Sequence, residues 1–88
     1  MGEFKNRITV SIYDQQYTII GEDDPSHIRY VAGLVDARIR DISRYNAGLD
    51  TSRKAVLTAV NIMDDYVKLQ EDYELLLHKL EAEGQRHD

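Results

Sequence analysis

Apolar residues change their spacing twice along this chain of 88 residues. Ile8, Val10 and Ile12 alternate with Thr9 and Ser11, the period-two pattern of a half-buried strand in β-branched residues. Asp14-Gln15-Gln16 supplies polar turn residues, and Tyr17-Thr18-Ile19-Ile20 reads as a second short strand ended by Gly21. The pair predicts a β-hairpin over 7–20. A lone hairpin is unstable in water, so another element must cover its apolar face.

From Ile28 the period becomes helical. Val31, Ala32, Val35, Ile39 and Ile42 follow on one stripe, with Arg29, Asp36, Arg40, Ser43 and Arg44 opposite. Asp24 is placed to cap the helix and Pro25 suits its first position. A helix of about 25–45 is expected, stopped at Asn46-Ala47-Gly48, where Asn46 or Gly48 can adopt a left-handed conformation. Asp50 or Thr51 can cap a second helix. No glycine or proline follows until Gly84, so this helix should run over about 52–82, on the order of 45 Å.

The third pattern lies on that second helix. Ala59, Ile62, Tyr66, Leu69, Tyr73, Leu76 and Leu80 are spaced 3, 4, 3, 4, 3 and 4 residues apart, a heptad seam. Polar and charged residues fill much of the space between, so this narrow stripe requires a partner helix. Val56, Val60, Met63 and Val67 add a second stripe that stops where Gln70 and Glu74 begin. Two stripes make a face wide enough to pack on the hairpin and the first helix, and one stripe makes a coiled coil. The expected fold is therefore α+β in ββαα order. A globular head of residues 1–67 is followed by a coiled-coil stalk over 68–83 and a frayed tail over 84–88. Tyr66 and Tyr73 in the seam loosen the preference for a parallel two-stranded coil, leaving dimer and tetramer, and both stalk polarities, open.

Charge sharpens this picture. Residues 1–54 hold eight acidic and eight basic side chains, whereas residues 55–88 hold eight acidic and three basic, which yields the whole net charge of −5. An acidic second half disfavours binding to nucleic acid or an anionic membrane by bulk electrostatics. There is no cysteine, and no apolar run of membrane-spanning length. The histidines His27, His78 and His87 have no metal-ligand spacing. The acids Glu22-Asp23-Asp24 and Asp64-Asp65 read as a helix start and a solvated helix face. No catalytic, cofactor or metal constellation emerges.

Two features point to partners instead. Arg40, Arg44, Arg53 and Lys54 flank the connection between the helices and form a candidate docking patch for an acidic partner, weighed against simple solvation beside Asp36, Asp41 and Asp50. Asn61 lies in the most apolar run of the chain, 55–63. It is a candidate buried amide fixing register at a subunit boundary, or a residue of the exposed third face.

Three segments together resemble the ZapA family of bacterial cell-division proteins in its short firmicute form. They are Val10-Ser11-Ile12-Tyr13 with Tyr17-Thr18-Ile19, then Val31-Ala32-Gly33-Leu34-Val35-Asp36, then Ala55-Val56-Leu57-Thr58-Ala59-Val60-Asn61-Ile62. The resemblance spans roughly 7–80. It implies a non-enzymatic cytoplasmic protein of the mid-cell division site. It also implies binding to FtsZ, the tubulin-like GTPase, and crosslinking of its filaments through head dimers that stalks pair into tetramers. The hairpin turn departs from the family, which tends to have glycine where this chain has Asp14. A coiled-coil adaptor with another partner fits the seam equally. A ribbon-helix-helix DNA-binding dimer shares the element order, but needs a basic strand where this chain offers only Lys5 and Arg7.

Overall fold

The computed structural model describes residues 5–85. Two strands, β1 (Asn6–Ile12) and β2 (Gln15–Gly21), precede two helices, α1 (Pro25–Tyr45) and α2 (Thr51–Gln85). This is the expected α+β fold. One compact unit ends at Thr58 and a second begins at Ala59.

The strands pair antiparallel, with Ile8 opposite Ile19, Val10 opposite Tyr17 and Ile12 opposite Gln15. That register leaves only Tyr13 and Asp14 in the turn. The turn thus falls one residue earlier than the polar run Asp14-Gln15-Gln16 indicates, and Gln15 and Gln16 belong to β2. Both turn residues have positive φ, 51° and 66°. This is the primed geometry whose twist matches the strands, normally filled by Asn, Asp or Gly. At the position where the resemblance implies glycine, Asp14 has a positive φ, which glycine adopts without steric cost.

Side-chain alternation sends Ile8, Val10, Ile12 and Ile19 to one face. There α1 lays Ile28 and Ala32 against them, and these six residues form the core. α1 starts as expected. The Asp24 carboxylate accepts from the Ser26 backbone N–H (2.9 Å) and hydroxyl (2.8 Å), which holds its pKa below the usual carboxylate range. Pro25 takes the first helical position. The helix ends differently from expectation. Asn46 has φ −139° and no described glycine has positive φ. Instead the Asn46 side-chain amide donates to the Ile42 carbonyl (2.9 Å) and its backbone N–H to the Ser43 carbonyl (3.2 Å). These bonds satisfy carbonyls that a left-handed residue would otherwise cover. Asp50 caps α2 by accepting from the Arg53 N–H (2.9 Å).

α2 is longer than expected at its C-terminal end. It continues through Gly84 to Gln85; residues 86–88, with His87, lie outside the described residues. Among the described residues five apolar side chains are buried, and none of the large side chains is fully enclosed. A core this small leaves a single chain marginal.

The turn sets the first prediction. Asp14→Val places a β-branched residue at positive φ and should cost about 1–2 kcal/mol, whereas Asp14→Gly should stay within about 1 kcal/mol of the parent. Urea unfolding at one fixed protein concentration reads both.

Candidate functional site: the Tyr13 junction and the exposed faces

Tyr13 joins three elements. Its backbone N–H donates to Asp36 Oδ1 on α1 at 2.7 Å. Its phenol oxygen lies 2.9 Å from Ser43 Oγ, also on α1, and accepts from Lys54 Nζ on α2 at 3.2 Å. The Arg40 guanidinium and the Lys54 ammonium both lie near the ring, at 5.6 and 5.7 Å from its centre. Arg40 also donates to Asp36 Oδ2 (3.0 Å) and to Asp14 Oδ1 (2.9 Å). The turn is thereby held by both of its residues.

These contacts shift the titrations in consistent directions. The hydrogen bond from Arg40, then that from the Tyr13 N–H, holds the Asp36 pKa below the ordinary carboxylate value. The bond to Ser43, then that from Lys54, lowers the Tyr13 phenol. Asp36 and Asp14 raise Arg40.

The four cations expected to form a docking patch therefore separate. Lys54 is 9% exposed; its stem packs inside and its ammonium is directed at Tyr13. Arg40 is half-exposed but engaged by two carboxylates. Arg44 is exposed and makes a long 3.3 Å contact with Asp41. Arg53 is exposed. Sequence reasoning missed the junction because its partners lie 23 to 41 residues from Tyr13. The signal available was Tyr13 at the end of an alternating strand, which reads only as a surface aromatic.

α2 turns Lys54 and Thr58 inward, and Val56 of the second apolar stripe outward. The Thr58 hydroxyl is satisfied by the Lys54 carbonyl at 2.8 Å. An apolar groove of about 440 Å³ remains open beside the inner face of β2, lined by Tyr17, Ile19, Val35, Ile39 and Ala55 among others. In the second unit, Ala59, Tyr66, Leu69, Tyr73, Leu76 and Leu80 of the seam are exposed on the single chain and Ile62 is half-buried. Asn61 is exposed there too. A 2.8 Å ion pair between Lys68 and Asp64 marks a solvated part of this helix and raises the Lys68 pKa. Among the described residues no group of His, Asp or Glu is arranged to hold a metal, and no helix is long and apolar enough to cross a membrane.

A small α+β chain with this much uncovered apolar helix surface has a face that a partner helix can cover, and comparison with known proteins defines its class. The family model "Cell division protein ZapA" matches residues 8–87. A Cell division protein ZapA from Geobacillus sp. (strain WCH70) is 57% identical over 79 residues, covering 90% of this chain and 91% of the relative. Another, from Bacillus thuringiensis (strain Al Hakam), is 50% identical over 80 residues, covering 91% and 90%. Among solved structures, a ZapA mutant dimer from Geobacillus stearothermophilus superposes with a TM-score of 0.69 at 45% identity, covering 88% of this chain and 90% of that one. The chain belongs to the ZapA cell-division family, as the three quoted segments implied.

The junction predicts an acid limb. A carboxylate whose folded pKa is depressed stabilises the fold above its unfolded pKa, near 4, and that contribution is lost as pH falls through the folded value. Asp36→Asn should therefore lower stability at neutral pH and flatten the loss of stability below about pH 4. Thermal melts across pH 2–7 at constant ionic strength, parent against variant, test this.

Proposed function

We propose that this chain is a non-enzymatic division protein that binds FtsZ and crosslinks its filaments at mid-cell, working as a dimer or tetramer. The observation that carries the reading is the uncovered heptad seam, in a family of which one solved structure is of a mutant dimer. A crosslinker needs at least two identical docking faces held apart, and linked faces strengthen filament binding without any new contact. In this reading the head, residues 1–67, supplies the docking face and pairs into dimers, and the stalk, 68–83, pairs those dimers into tetramers. Asn61, exposed on the single chain, sits beside Ile62 of the seam, where assembly would cover it and fix register.

The docking face is proposed around Arg44 and Arg53, the two of the original four cations that are exposed and not engaged at the Tyr13 junction. Arg40 supports it by fixing the turn, and Lys54 acts from within. FtsZ polymerised with GTP should carry the chain into the pellet and appear by electron microscopy as thick, aligned bundles. If the folded protein stays in the supernatant and filaments remain single, the reading fails.

Two variants separate docking from assembly. Arg44→Glu with Arg53→Glu should weaken co-pelleting by about tenfold or more, through reversed charge at the docking face, without changing the sedimentation coefficient. Leu76→Glu with Leu80→Glu should break stalk pairing and leave head dimers, which still pellet with FtsZ but bundle it poorly. Analytical ultracentrifugation of both variants distinguishes the outcomes.

A further inference from the structure

We propose that the free edge of β1 is a docking site for an extended, acidic segment of a partner protein, which adds as a third strand beside α1. Among the described residues the sheet has two strands, so β1 is hydrogen-bonded to a strand along one edge alone. In a hairpin closed by a two-residue turn, the pair flanking the turn is hydrogen-bonded, and bonded pairs alternate with unbonded ones. With Ile12 opposite Gln15, Val10, Ile8 and Asn6 bond to β2, and Ser11, Thr9 and Arg7 direct their backbone groups outward. Among the described residues no other backbone group takes them up. Open strand edges template the addition of another strand, and basic side chains along such an edge discourage a second basic copy more than an acidic strand.

The flank of α1 is shaped for the addition. A groove of about 260 Å³ runs along Thr9, Val10 and Ser11 on one side and Arg29, Ala32 and Gly33 on the other. Gly33 lies in the interior of α1, where glycine weakens a helix relative to alanine. Within the chain nothing requires it: a Cβ built there meets no atom within 4 Å. The missing side chain keeps the groove open beside the strand edge.

Charge selects the occupant. Lys5 and Arg7 lead into the strand and Arg29 lines the groove, all exposed, and among the described residues none is within ion-pair distance of a carboxylate. A second copy of β1 brings Lys5 and Arg7 again and no acid, so self-pairing adds like charge. A foreign strand alternating acidic and apolar residues sends acids toward Arg7 on the outer face of the sheet. It sends small apolar groups toward Ala32 and Gly33 on the inner face. This edge is separate from the Arg44 and Arg53 face, so its occupancy does not depend on that docking.

The test uses the full chain and a short fluorescein-labelled peptide of alternating glutamate and valine, blocked at both ends. Saturable binding below about 1 mM is expected, weakened by salt, with amide NMR shifts centred on Arg7, Thr9 and Ser11. A peptide with lysine in place of glutamate should bind at least about tenfold more weakly. Thr9→Pro removes one outward N–H at an edge that tolerates proline, and Gly33→Leu fills the groove. Each should weaken the peptide by about tenfold or more while oligomeric size and the melting temperature hold. Gly33→Leu keeps the test decisive if Thr9→Pro perturbs the strand. The proposal is overturned if the glutamate peptide fails to bind, if its shifts lie elsewhere, or if either variant changes the sedimentation coefficient, which would make the edge a contact between copies.

Discussion

The head depends on one backbone hydrogen bond, from the N–H of Tyr13 to the carboxylate of Asp36. Tyrosine is an unfavourable residue for positive φ, and a hairpin tip with two such residues in succession needs an external hold. Asp36 supplies it from α1, Arg40 binds Asp36 and Asp14 together, and the phenol reaches Ser43 and Lys54 beyond. Removing that carboxylate would leave the turn strained, Arg40 with one anion fewer and the hairpin tip loose against α1. The apolar core alone, four buried side chains with two more partly buried against them, offers little redundancy.

The same junction explains how Lys54 is covered rather than presented at the surface. Lys54 enters at the first turn of α2 and lies almost fully covered, yet its ammonium is paired with an oxygen and faces an aromatic ring. Burial of its stem gives hydrophobic contact while the charged end remains solvated by protein groups. With Thr58 bonded back to the Lys54 carbonyl, the inward face of α2 up to Thr58 is polar but satisfied. No buried side-chain polar atom among the described residues lacks a partner. The apolar residue Val56 of this segment is turned outward, toward a surface that assembly can cover.

Periodicity made most of the fold legible. Alternation located both strands within a residue or two, and the 3.6-residue stripe with Asp24-Pro25 located the start of α1. The turn was misplaced because polarity marks turns only on average, whereas here the strand register, set by Ile8 and Val10 against Ile19 and Tyr17, decides where two residues remain unpaired. The helix stop was placed correctly but for another reason, since Asn46 can bond Ile42 through its side chain and has no need of left-handed backbone. The basic patch was least legible. Four nearby cations look alike in sequence, and only the position of Tyr13, distant along the chain, divides the inward Lys54 and the engaged Arg40 from the exposed Arg44 and Arg53.

The smallness of the core carries a consequence for supply. A protein that leaves Tyr30, Leu34 and the stripes of α2 bare as a single chain draws much of its folding free energy from its own copies, under the proposed assembly. Its abundance then sets its lifetime. A copy made in excess of partners, or released by dilution, spends more time open and is the preferred prey of proteases, while assembled copies persist. A scaffold built this way trims its own surplus, and the pool of lone subunits able to cap or poison an assembly stays low without a dedicated regulator.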